Sequence, residues 1–190
     1  MDWSAEHAIL RQWGVELAPG LTDTELSRAE EHVGCAFPPD LRSFLQAALP
    51  VGKNWPDWRH PESEYIASRL GWAERGMMFD LEHCPWWWPP EWGLRPEALP
   101  DRIEAARGHL RTVPKLIPVV GHRFLPAEPC EAGNPVLSVW QMVDTIYYGR
   151  DLRDFFNREA DSELRKQPIG RVRRIRFWSG VVEEWYKRPG

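Results

Sequence analysis

The feature that most constrains the fold is a helix near the N-terminus with explicit start and stop signals. In the stretch LTDTEL, Thr22 is placed to cap a helix, and Glu25 three residues later completes a capping box. Leu21 and Leu26 occupy the two positions of a hydrophobic staple around this cap. Gly34 follows the last apolar residue and suits the end of the helix. The pattern predicts a short amphipathic helix.

A second helix is predicted directly afterwards, in FPPDLRSFLQAAL. The prolines, including Pro38, suit a first helical turn, where a missing N–H costs nothing. Leu41, Phe44, Leu45 and Ala48 recur at helical spacing, so Phe44 is expected to face the core. The two helices are predicted to form a helical hairpin.

The second half of the chain is rich in β-formers. Short apolar or alternating runs occupy residues 116–120, 135–140 and 144–149, separated by turn residues. They predict a sheet built largely of sequential strands. RDLRDFFNREA then predicts a helix with Phe155 facing inward, and Ser179 is expected to cap a last helix in IRFWSGVVEEWYKR. Helices, a sheet and further helices in this order predict an α+β fold with a twisted, mostly antiparallel central sheet flanked by N-terminal and C-terminal helices.

The middle of the chain is dominated by tryptophan and proline. ESEYIASRLGWAER and DRIEAARGHLR are compatible with helices, whereas three prolines in CPWWWPPEWG exclude a regular central element. Trp86, Trp87 and Trp88 cannot all face inward, because alternate side chains of an extended chain point to opposite sides. One or two of these rings should therefore be exposed or half-exposed.

Three interpretations of this tryptophan-rich segment remain open from the sequence. They are an irregular flap whose rings plug the sheet, a protein-binding surface, and a platform that stacks on sugars. Tryptophan is over-represented at binding hot spots, and interspersed acids would complement a basic partner. The residues predicted to contact a partner are Trp55, Trp58, Asp80, Glu82, Trp86, Trp87, Trp88, Glu91, Trp92 and Tyr148.

Size and composition favour one domain, residues 1–190, with a Trp/Pro-rich segment at about 62–112. No apolar run approaches the length of a membrane span, and MDWSAEHAIL lacks the features of a signal peptide, so a cytoplasmic location is expected.

The net charge is −4 although residues 165–176 carry six cations and no acid. This basic run is either a binding patch or a solvated face whose arginine stems pack on the body, and the acidic remainder disfavours nucleic acid as a ligand.

Catalytic motifs are missing from the sequence. There is no G-x-S-x-G, Walker loop, G-x-G-x-x-G or H-E-x-x-H, and Cys35, Cys84 and Cys130 show no spacing typical of a metal site. We therefore expect no enzymatic activity, no metal and no cofactor; a Cys/His hydrolase is the least favoured alternative.

Arg123, next to His122, is expected to anchor the fold by meeting a carboxylate such as Asp144. The alternative is that Arg123 faces a partner.

The order of these motifs resembles the SUKH superfamily, the relatives of the fungal cell-wall assembly regulator. The resemblance lies in LTDTELSRAEEHVGCAFPPDLRSFLQAALPVG, WPDWR, LIPVVGHRFLP and GNPVLSVWQMVDTIYYGRDLRDFF. The segment around CPWWWPPEWG departs from the pattern, so the resemblance implies a single SUKH-like domain with a Trp/Pro-rich insertion at about 62–112. It also implies an α+β fold and, as in many bacterial members, an immunity protein that binds a toxin domain, often a nuclease. The expected function is therefore non-enzymatic binding and occlusion of a toxin domain encoded nearby. A regulatory scaffold without a cognate toxin is the alternative.

Overall fold

The computed structural model describes residues 1–186, so Lys187 and Arg188 of the predicted C-terminal helix lie outside the described residues. Its helices are α1 Ser4–Gln12, α2 Asp23–Val33, α3 Pro39–Ala47, α4 Glu64–Leu70, α5 Trp72–His83, α6 Leu99–Leu110, α7 Leu152–Ala160, α8 Ser162–Lys166 and α9 Trp178–Tyr186. Its strands are β1 Glu16–Pro19, β2 Ala48–Val51, β3 Leu116–Val120, β4 Arg123–Pro126, β5 Val136–Val139 and β6 Thr145–Gly149. No helix within residues 1–186 combines the length and the apolar character needed to cross a membrane.

The predicted helical hairpin is confirmed in α2 and α3. The Thr22 hydroxyl accepts a hydrogen bond from the Glu25 N–H, and the Glu25 carboxylate accepts one from the Thr22 N–H, which completes the capping box. Gly34 ends α2 in the left-handed region at φ 72°, where glycine is favoured. Buried Pro38 precedes α3, which begins at Pro39.

The α+β fold with sequential antiparallel strands is confirmed. Strands β3, β4, β5 and β6 form one sheet in chain order, and each pairs antiparallel with the next. Strand β4 was not predicted as a strand: it follows β3 through a tight turn at Gly121, whose φ is 55°. A separate two-stranded sheet, β1 paired with β2, was also not predicted, because each strand has only four residues.

The four-stranded sheet has an apolar layer on each face. Alternating residues of the strands point to opposite sides, so Ile117 and Leu125 belong to one core cluster while Phe124 and Leu137 belong to the other. The first cluster is completed by α1, α2, α3, α7 and Ile66 of α4. Phe44 lies at its centre, stacked on Phe156 with ring centroids 4.9 Å apart.

The second apolar layer comes largely from the tryptophan-rich region. Helices α5 and α6, the loop between them and α9 supply buried residues that pack over Phe124 and Leu137. The segment at about 62–112, which was interpreted as an insertion, therefore covers much of one face of the sheet, together with α9 and the residues just before it. Without it that face would expose a row of large apolar side chains to water.

The position of Ser179 corrects the prediction for the C-terminal helix. Helix α9 already begins at Trp178, so Ser179 lies inside its first turn rather than before it. The buried Ser179 hydroxyl accepts hydrogen bonds from the Ile175 N–H at 2.8 Å and the Tyr147 hydroxyl at 2.7 Å. It joins the helix to β6 and to the segment that precedes the helix.

Candidate functional site

Four of the residues predicted to contact a partner are buried. Trp58, Trp87, Trp92 and Asp80 all lie in the interior. Trp58 packs edge-on against Phe37, in the first cluster. The Asp80 carboxylate accepts a hydrogen bond from the Val143 N–H at 2.9 Å and so fixes the loop between β5 and β6. This burial overturns the assignment of these four residues as partner contacts.

The tryptophan-rich segment acts mainly as a plug over the sheet. The Trp92 ring stacks on Phe177 at 5.4 Å and on His109 at 4.9 Å, and the edge of Trp87 meets Trp92. These contacts fit the flap interpretation. The expectation that Trp86, Trp87 and Trp88 cannot all face inward is confirmed, because Trp86 is 60 % exposed, Trp88 is half-buried and Trp87 is fully buried.

The other predicted contact residues keep some accessible surface. Glu82 and Glu91 are exposed, as is Leu94 beside them in the chain. Trp88 donates its indole N–H to the Gly93 carbonyl, which holds the ring along the loop. The predicted residues that remain at least partly accessible are Trp55, Glu82, Trp86, Trp88, Glu91 and Tyr148.

An aromatic surface that the sequence did not predict lies where β5 ends. Trp140, the first residue after β5, is 52 % exposed. Its ring meets the edge of Trp72 at 5.6 Å and of His122 at 5.4 Å. Trp72 is fixed in turn, because its indole N–H donates to the Val139 carbonyl at 2.8 Å. At Gly76 a Cβ would come 3.1 Å from the Gln141 Cα, so a small residue lets α5 approach this loop closely.

Arginines complete this surface. The Arg69 guanidinium lies 4.1 Å from the Trp72 ring centroid, and that of Arg75 lies 5.7 Å from it. Burial lowers the pKa of His122, and the neighbouring Arg123 and Arg69 charges lower it further against the opposing effect of Asp144. His122 is therefore neutral at pH 7. We call the set Trp72, Trp140, His122, Arg69 and Arg75 the Trp140 surface.

The signal for this surface was present in the sequence but was not used. Trp140 directly follows an apolar strand and precedes the turn QMVD, which places a large ring at the boundary of the sheet. The contact with Trp72 joins residues 68 positions apart in the chain, so only the tertiary structure brings them together.

Arg123 contacts partners that differ from the one predicted. Its guanidinium lies 3.6 Å from the Tyr148 ring centroid and donates to the Ser138 hydroxyl at 3.0 Å. The predicted pairing with Asp144 is thus replaced by contacts on the neighbouring strands. Asp144 acts as the expected turn residue, since its N–H donates to the Gln141 carbonyl.

The basic run 165–176 is largely paired with the body of the protein. Arg173 donates to the Ala132 carbonyl and to the Asn134 side chain, while Arg174 and Arg176 form ion pairs with Glu183 and Glu128. These contacts favour the interpretation as a solvated face over that of a binding patch.

Cys35 is not an activated nucleophile. Burial raises the pKa of Cys35 to about 11, which leaves its thiol protonated at neutral pH. Cys130 is exposed, and its thiol faces the Phe37 carbonyl. Among residues 1–186 no group of three or more His, Cys, Asp or Glu side chains is arranged to hold a metal ion.

Comparison with protein-family models, with curated proteins and with solved structures found no match for the chain. The resemblance to the SUKH superfamily therefore stays a prediction.

Proposed function

We propose that this protein is a non-enzymatic binding domain that recognises another protein through the Trp140 surface. The observation that carries the proposal is the half-exposed Trp140 ring, held rigidly between Trp72 and His122. Tryptophan and arginine are the residues most enriched at binding hot spots, and a ring fixed before binding loses little entropy when a partner covers it. Arg69 and Arg75 beside it would pair with acidic or carbonyl groups of the partner.

The partner we infer is a bacterial toxin domain, which this protein would neutralise by covering its active site. The support is the motif order shared with the SUKH superfamily together with the rigid aromatic surface. The exposed acids Glu82 and Glu91 would complement a basic nuclease and speed its association. A regulatory scaffold with another protein partner uses the same surface and is the second candidate.

The test uses the toxin-like domain encoded beside the gene as bait in a pull-down and as the toxic partner in co-expression. We expect the wild-type protein to bind and to restore growth. Trp140→Ala should weaken binding by at least tenfold, whereas Trp13→Ala, which truncates an exposed tryptophan at the end of α1, should leave it unchanged.

Each other outcome has a definite meaning. Binding without growth rescue supports the scaffold. If no neighbouring toxin-like protein binds, the immunity function is wrong. If Trp140→Ala and Trp13→Ala have equal effects, the protein binds elsewhere.

A further inference from the structure

A cleft of about 270 Å³ opens beside the sheet, where the two apolar layers meet. Its walls come from seven elements, namely α2, α4, α5, α6, β3, β4 and α9. The floor is apolar and consists of Leu70, Leu110, Val113, Leu116, Phe124 and Trp178. Trp178 is held in place because its indole N–H donates to the Pro114 carbonyl at 2.7 Å.

The rim of the cleft is positively charged. Arg69, Arg107, Arg111 and Lys115 line it together with one acid, Glu74. Glu74 is paired with Arg107 at 2.9 Å, which links α5 to α6 across the opening and neutralises one of the four cations. Three positive charges therefore remain beside the apolar floor.

These three cations have free hydrogen-bonding capacity. Lys115 donates to the Val33 and Gly34 carbonyls at 2.8 and 3.0 Å, which positions its ammonium and leaves one of three donors. The Nε atom of Arg69 is buried and has no hydrogen-bond partner. No acid within residues 1–186 forms an ion pair with Arg111, which is exposed at the end of α6.

We propose that the cleft binds a small organic anion with an apolar body, of which a carboxylate of about ten carbons is the simplest form. The apolar part would lie on the floor around Leu110 and Phe124, and the carboxylate would meet Arg111 and Lys115 at the rim. The cleft is slightly smaller than typical ligand pockets, roughly 300–1,000 Å³, so the ligand is small. A bound carboxylate would also lower the cost of holding three cations together.

The probes are decanoate and decanol, which share an apolar chain and differ in charge. Isothermal titration calorimetry should show one saturable decanoate site, with a dissociation constant on the order of 0.1 mM. Decanol should bind at least tenfold more weakly. Comparable affinities for the two probes would show an apolar crevice without anion recognition and would overturn the proposal, as would the lack of a saturable site.

Three variants locate the site. Arg111→Gln should weaken decanoate binding about fivefold, whereas Arg171→Gln, the same change in an exposed residue outside the cleft, should not. Ala73→Phe places a ring in the cleft and should abolish binding; its fold is checked by thermal melting. Equal effects of the two Gln variants would contradict the proposal.

A parallel titration separates a small molecule from a protein segment. Saturable binding of the acidic apolar peptide acetyl-Leu-Leu-Phe-Asp-amide, without binding of decanoate, would overturn the assignment to a small ligand. The titrations use the isolated protein and small molecules, so their result is independent of whether the Trp140 surface binds a protein.

Discussion

The Arg123 guanidinium lies on the face of the Tyr148 ring, 3.6 Å from its centroid. Arg123 is on β4 and Tyr148 on β6, so the contact spans β5, from which Ser138 supplies a hydrogen-bond acceptor. One side chain thereby connects three strands.

Arg123→Ala should destabilise the isolated protein. It removes a half-buried cation–π contact and a side-chain hydrogen bond, so the free energy of unfolding should fall by about 1–2 kcal/mol. Urea denaturation measures the change. Arg171→Ala, which truncates an exposed arginine in an irregular segment, is the control and should leave stability within about 0.5 kcal/mol. If Arg123→Ala leaves the stability unchanged, Arg123 does not stabilise the fold and its side chain is instead available to bind a partner.

Asp80 should contribute to stability rather than to binding. Asp80→Ala leaves the buried Val143 N–H without its carboxylate acceptor, which should lower the free energy of unfolding by about 1–3 kcal/mol. Glu82→Ala, two residues away on the exposed side of α5, should change stability by less than about 0.5 kcal/mol. Denaturation of both variants distinguishes the two positions; equal effects would show that the Asp80 hydrogen bond is unimportant.

Gly149 should not tolerate a side chain, because α7 packs against it. A Cβ at this position would lie 2.7 Å from the backbone N and Cα of Phe155, which cannot move without shifting the helix. Gly149→Ala should therefore cost on the order of 2 kcal/mol. Gly108→Ala in α6 meets no atom within 4 Å and should stabilise by about 0.5–1 kcal/mol. Thermal melting measures both variants. Melting temperatures that shift in the same direction would contradict this packing.

His7 should make stability depend on pH. Burial, with a smaller contribution from Arg11, lowers the pKa of His7 below its value in the unfolded chain, although Glu6 opposes the shift. The unfolded chain then binds the proton more readily, so the free energy of unfolding should fall as pH drops below about 6.5.

His7→Phe keeps a ring against Phe44 and should reduce this slope between pH 7.5 and 5.5. Part of the slope should persist, because the pKa of His122 is lowered as well. His32→Gln, an exposed histidine in α2, is the control and should leave the slope unchanged. Urea denaturation across this pH range measures the slope for each variant. A steeper slope in His7→Phe would mean that His7 opposes the loss of stability at low pH, contrary to the lowered pKa.

The sequence alone determined the elements whose signals are local. The capping box at Thr22, the prolines before α3 and the helical spacing around Phe44 act over three to seven residues, and the structure places them as predicted except that Ala48, expected in the helix, begins β2. The antiparallel order of the sheet was also predictable, because turn residues separate consecutive β-rich runs.

Only the tertiary structure decided which polar and aromatic side chains face water. Tryptophan serves equally well in a core and in an interface, so Trp87 and Trp140 look alike in the sequence; one is fully buried and the other half exposed. Trp87 lies in an apolar cluster that includes Phe177, and Trp140 contacts Trp72, so in both cases residues from distant parts of the chain decide the burial. The burial of Asp80 was likewise not predictable from local sequence, because its carboxylate accepts a hydrogen bond from a backbone N–H 63 residues away. Local patterns determine which segments become helices or strands, but burial depends on what packs against them.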